Sequence, residues 1–173
     1  MARGTALGEE GAGSVAIGAE RQAEDLREGG IEVTKTLTTA EASRRASPRV
    51  LVFSTNTISD PGIDLAGSRH LHYSPGVVVI SLPCASGIKP SWILHALQHG
   101  FDGVFVAADG DECAYLSDCS VRSAGIVQQA QALMAEHGIA ANRVKMAAIC
   151  SVCAEPFTRQ VIEFSEALAE AVV

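Results

Sequence analysis

Five cysteines carry most of the reactive chemistry in this 173-residue chain. Cys84 stands in Leu82-Pro83-Cys84-Ala85-Ser86-Gly87, just past the apolar run Val77–Leu82. Cys113 follows the run Gly103–Ala107, in Asp109-Gly110-Asp111-Glu112-Cys113-Ala114-Tyr115. Cys150 and Cys153 form Cys-Ser-Val-Cys directly after Val144–Ile149. A C-x-x-C loop offers two sulfurs to one metal centre. Four thiolates suit either a tetrahedral zinc ion or an iron–sulfur cluster. The expected ligands are therefore Cys84, Cys113, Cys150 and Cys153. Cys119, just ahead of a long helical pattern, has no pairing logic and is the substitute if Cys84 lies too far away. The competing explanation is that these thiols only fill space, because free cysteine is among the most buried residue types.

Other polar clusters are less telling. Ser54-Thr-Asn-Thr-Ile-Ser59 is a hydroxyl-rich loop after the first apolar run, of the kind that can hold an oxyanion or flavin phosphate. It lacks an internal glycine, and Asp60-Pro61-Gly62 reads as a turn. His70 and His72 share one side of an extended segment, and His95 and His99 are spaced i, i+4. No glutamate follows His95 in a metalloprotease pattern, so a polar helix face is expected there. There is no Walker loop, G-x-G-x-x-G or ordered Ser/His/Asp set, so hydrolase and nucleotide-binding chemistry have no motif to rest on.

Four elements must position the cysteines. The apolar runs at 50–53, 77–82, 103–107 and 144–149 read as strands, and near-continuous apolar strands belong to a parallel sheet covered on both faces. Helical patterns follow three of them. One runs from Pro90 to about Gly100. A second spans Ser120–His137, with Val121, Ile126, Val127, Ala130, Leu133 and Met134 facing the core. The last begins near Glu155, with Phe157, Val161, Ile162, Phe164 and Leu168 inward. The alternation predicts a doubly wound α/β sheet in the order 2-1-3-4, with its site beyond the carboxyl ends of the strands.

Composition sets the outer limits. Hydrophobic residues are 47% of the chain, enough for a real core, and charged residues only 19%. The net charge of −7 argues against a nucleic-acid partner. No apolar run approaches the roughly 18–20 residues that span a bilayer, so no membrane association is expected, and the location expected is the cytoplasm. Residues 1–49 carry seven basic and eight acidic side chains, no aromatic residue and no cysteine. Residues 1–48 therefore read as an extended or partly helical arm, with 49–173 as the folded domain.

The order of several blocks gives a family resemblance. Val50-Leu-Val-Phe-Ser54, Asp64-Leu-Ala-Gly-Ser-Arg69, Val79-Ile-Ser-Leu-Pro-Cys84, Ile93-Leu-His-Ala-Leu97, Gly100-Phe-Asp-Gly-Val104 and Asp111-Glu-Cys-Ala-Tyr115 resemble the delta (iron–sulfur) subunit of methyl-viologen-reducing hydrogenase. That resemblance implies a flavodoxin-like domain carrying a 2Fe–2S cluster. It also implies an electron-transfer role in a larger oxidoreductase complex, relaying electrons to or from a heterodisulfide-reductase-like flavoprotein subunit. A hydrogenase or formate dehydrogenase module would stand on the other side. Cys84 and Cys113 match the family's cysteine pattern, whereas Thr55, Ile58 and Ala108 stand where three more cysteines are expected. Cys150-Ser-Val-Cys153 would replace part of that set. The alternatives are a cluster-less docking or scaffold subunit, with or without zinc, and a flavin-binding module using Ser54–Ser59. In each case the chain reads as a subunit without substrate chemistry of its own.

Overall fold

The computed structural model describes residues 47–110, 113 and 115–171. The extended or partly helical arm expected over 1–48 lies outside the described residues except for Ser47 and Pro48. Strands β1 (Val50–Thr55), β2 (Val77–Leu82), β3 (Gly103–Ala108) and β4 (Val144–Ala148) make one sheet in the order β2-β1-β3-β4. Every pairing is parallel, as the strand–helix alternation requires. β1 and β3 are the central strands and every residue in them is buried, which is why they read as unbroken apolar runs. β2 and β4 lie at the edges and are only partly covered.

Helices cover both faces. Leu51, Phe53, Val104 and Val106 point to the face that carries α2 (Pro90–Gln98) and α3 (Cys119–Glu136). Val50, Val52, Phe105 and Ala107 point to the opposite face, under α1 (Ser59–Ser68) and α4 (Ala154–Glu170). On α4 the buried residues Phe157, Val161, Phe164 and Leu168 recur at helical spacing. Phe157 and Phe164 lie against Phe105, with ring centroids 6.4 and 6.2 Å away. Gly103 makes this closure tight. A Cβ there would sit 2.8 Å from Phe164 Cζ. At the amino edge of the sheet, Arg143 donates from Nε and Nη2 to the carbonyls of Asp102 and Phe101, and the Arg49 N–H donates to the Asp102 carboxylate. The amino edge is thus fastened by backbone-directed bonds, and the carboxyl edge is left for chemistry.

Two expectations need correction. Asp60-Pro61-Gly62 is not an isolated turn but the first part of α1. Pro61 is the third helical residue, where its missing N–H costs nothing. Gly62 is there because the helix crosses the end of β4 closely: a Cβ would lie 2.5 Å from the Cys150 carbonyl oxygen. Val121, expected inward on α3, is 72% exposed, and the buried side of that helix is Cys119, Ser123, Val127, Ala130 and Met134. Among the described residues, no helix is long and apolar enough to cross a membrane.

Candidate metal centre

The loops after β2 and β3 and the first turn of α3 meet at the carboxyl edge of the sheet. Cys84 ends the extended segment after β2, and its carbonyl accepts the Gly87 N–H that closes a short 3-10 turn. Cys119 is the first residue of α3 and is fully buried. Cys113 lies in the loop between β3 and α3 and is half-buried. The three sulfur atoms lie within 4.8 Å of one another, with Cys84 Sγ and Cys119 Sγ 3.8 Å apart. Sulfurs bound to one tetrahedral ion at about 2.3 Å would stand about 3.8 Å apart. The spacing therefore fits three soft ligands around one metal centre. Among the described residues this is the one group of three or more His, Cys, Asp or Glu side chains brought together in that way.

Cys84 and Cys119 are shifted in opposite directions. Burial pushes the Cys84 thiol up, but hydrogen bonding to the Ser86 hydroxyl, 3.0 Å away, and to its backbone outweighs that, so Cys84 ionises below the ordinary thiol range. Cys119 is pushed up to about 12, first by burial and then by its contacts with Cys113 and Cys84. A helix N-terminus normally favours a thiolate, but here desolvation and two neighbouring sulfurs win. Three thiolates at this point need a cation between them, and soft sulfur donors select zinc, copper(I) or iron–sulfur centres.

Of the sequence-expected ligands, Cys84 and Cys113 come together and Cys119 joins them. Cys150 and Cys153 are instead joined to each other in a disulfide, with their Cα atoms 5.0 Å apart. Coordination by that pair would first require the disulfide to be reduced. Cys119 had a signal in the sequence: it opens the series 119, 123, 127, 130, 134, which marks the core face of α3. The run of apolar side chains that includes Val121 hides this series.

The positions where the family resemblance implies cysteines are filled by a buried polar network and by core. Thr55 and Ser59 are fully buried and exchange hydrogen bonds: the Thr55 N–H donates to Ser59 Oγ at 2.6 Å, and the Ser59 N–H to Thr55 Oγ1 at 3.1 Å. Thr55 Oγ1 also donates to the Asp109 carboxylate, and Ser59 Oγ to the Ala107 carbonyl at 2.9 Å. Ser54 Oγ donates to Asp60, and the Asn56 N–H to the Leu82 carbonyl. Several donors of the loop that could have cradled an oxyanion are thus committed internally. Ala108 is buried in the core under α2 and α3, and Ile58 is half-buried.

Known proteins resemble the chain over much of its length. It is 31% identical over 135 residues to a polypeptide of the ferredoxin:CoB-CoM heterodisulfide reductase of Methanosarcina mazei, covering 76% of this chain but 16% of that protein. It is 28% identical over 109 residues to the iron-sulfur subunit of the F420-non-reducing hydrogenase of Archaeoglobus profundus, covering 60% of this chain and 76% of the relative. It is 29% identical over 122 residues to the iron-sulfur subunit of the vhu F420-non-reducing hydrogenase of Methanococcus maripaludis, covering 70% and 90%. The chain thus spans a small part of the first relative and most of the other two. Together with the parallel 2-1-3-4 sheet, the match of residues 50–171 to the model of the methyl-viologen-reducing hydrogenase delta subunit shows that the chain belongs to that family.

Proposed function

We propose that the chain is an electron-transfer subunit of a cytoplasmic, heterodisulfide-reductase-like redox complex, relaying electrons to or from a flavoprotein subunit. The observation that carries this reading is the convergence of Cys84, Cys113 and Cys119 at the carboxyl edge of the sheet. The relatives' membership of hydrogenase and heterodisulfide reductase supports the redox-complex role. A hydrogenase or formate dehydrogenase module would be the second partner. The group these residues would hold is the 2Fe–2S cluster that the family resemblance implies, and it would supply a one-electron relay when bound.

The chain's residues have defined tasks in this reading. Cys84 offers a readily formed thiolate, because Ser86 stabilises it. At neutral pH Cys119 keeps its proton until a cation binds, so its deprotonation accompanies binding. Cys113 completes the triangle from the β3–α3 loop. A fourth ligand is then required, and a partner protein or a reduced Cys150–Cys153 pair would supply it. The second reading, a cluster-less docking subunit, is favoured by the buried Thr55–Ser59–Asp109 network, which leaves no thiol at the end of β1.

The test is the visible and electron paramagnetic resonance spectrum of anaerobically purified protein. Broad absorption and a reduced-state signal that vanish in Cys84→Ser and Cys113→Ser support the relay. A featureless spectrum after iron and sulfide reconstitution supports the docking subunit, and two sharp bands would indicate flavin.

A further inference from the structure

The Cys150–Cys153 pair stands apart from the free thiols and has its own chemistry. It fills the turn between β4 and α4, so a C-x-x-C loop leads from a parallel strand into a helix of 17 residues. Cys153 is the residue that caps α4, and its sulfur-bearing side chain packs against the core beside Ala154 and Phe157. Cys150 is half-buried and is not part of that core packing. Between them Ser151 is exposed and Val152 is 70% exposed. The loop is held from beneath: the Cys153 N–H donates to the Cys150 carbonyl at 3.0 Å, and that carbonyl lies against Gly62 of α1. A rigid, partly accessible disulfide beneath an exposed apolar side chain is the arrangement expected for thiol–disulfide exchange with a docking dithiol.

We propose that Cys150-Ser-Val-Cys153 is a two-electron thiol–disulfide exchange site whose co-substrate is a dithiol. A thiolate of the dithiol attacks Cys150 Sγ. The Cys150–Cys153 bond breaks, a mixed disulfide forms at Cys150, and Cys153 leaves as a thiolate at the start of α4, where the helix N-terminus stabilises it. The second thiol of the co-substrate, deprotonated, then attacks its own sulfur in the mixed disulfide and releases Cys150. The dithiol becomes a disulfide and loses two electrons and two protons. Cys150 and Cys153 gain two electrons and, from solvent, two protons. Cys153, half-buried and packed against the core, is the thiol that re-forms the internal bond when the pair passes its electrons on. The same chemistry serves a small dithiol or a protein dithiol, and the exposed Val152 gives a protein something to cover.

The test uses the full chain under anaerobic conditions. Native protein is equilibrated with dithiothreitol and, in parallel, with a reduced thioredoxin, then alkylated and mapped by mass spectrometry. The expected result is paired alkylation of Cys150 and Cys153 without unfolding, faster with thioredoxin if the co-substrate is a protein. In single variants challenged with glutathione disulfide, Cys150 in Cys153→Ser should form the mixed disulfide about tenfold faster than Cys153 in Cys150→Ser. Circular dichroism shows whether each variant is folded; the rate comparison needs both, and the paired alkylation of the native chain tests the exchange site without either. Reduction only after denaturation would overturn the proposal, leaving a structural disulfide. So would thiols that resist alkylation until a chelator is added, which would make the pair metal ligands. Equal trapping rates at the two positions would overturn the assignment of Cys150 as the attacked sulfur.

Discussion

Cys119 should make the metal-free fold lose stability in alkali. An ordinary cysteine thiol ionises near 9.0, and Cys119 in the fold is pushed up to about 12. Above pH 9 the unfolded chain has shed this proton while the native chain keeps it. Unfolding then releases a proton, and each rise of one pH unit costs the native state about 1.4 kcal/mol. From pH 9 to 11 the loss is about 2–3 kcal/mol, and it ends as Cys119 itself ionises near 12. Cys84 acts in the opposite sense, since its lowered value adds stability as pH rises towards 9, and it adds nothing further above that. The measurement is urea denaturation under argon, without metal, from about pH 8 to about pH 11, for the native chain and for Cys119→Ala. Titrating groups that do not touch Cys119 cancel between the two proteins, so the difference above pH 9 reports Cys119 together with the thiols it contacts. The native chain should fall relative to Cys119→Ala by the stated amount. Parallel curves above pH 9 would refute the reasoning, because they would mean that the Cys119 thiol is neither desolvated nor crowded.

Cobalt(II) added to the reduced, metal-free protein should produce thiolate charge-transfer absorption that is lost in Cys84→Ser or Cys113→Ser, since each removes one of three converging sulfurs. Intact absorption in both variants would place the metal elsewhere. Thr55→Val should destabilise the fold by about 1–3 kcal/mol, because the buried Asp109 carboxylate, one oxygen of which already lacks a partner, loses the Thr55 hydroxyl. Urea denaturation checks this, and a neutral result would mean that Asp109 finds another donor. Gly62→Ala should cost about 1–3 kcal/mol by pushing α1 off the Cys150 carbonyl. Phe157→Ala should cost about 3–5 kcal/mol, since its side chain is fully buried between Phe105 and Tyr73. Thermal denaturation compares these last two, and Gly62→Ala should be the milder.

Residue order alone was enough to place the strands, three of the four helices and the parallel arrangement. β1 and β3 are buried on both faces, so their apolar runs had no competing period, and Pro90 marked the start of α2 clearly. Residue order also put Cys84 and Cys113 at the same sheet edge, because in a parallel sheet every loop after a strand emerges on one side. The first helix was hidden, because Pro61 and Gly62 are breakers in general. The structure shows why both fit there: Pro61 lies in the first turn of α1, and Gly62 lets the helix pass close to the Cys150 carbonyl. Which cysteines meet was likewise settled by packing. Strand order alone leaves Cys84 between Cys113, Cys119 and the C-x-x-C pair as partners, and spacing along the chain cannot choose among them. The way α3 starts in the core carries Cys119 to Cys84 and Cys113, while the tight β4–α4 turn brings Cys150 and Cys153 to each other. Sulfur chemistry depends on separations of a few ångströms, and these are set by how helices seat on the sheet rather than by any local pattern of residues.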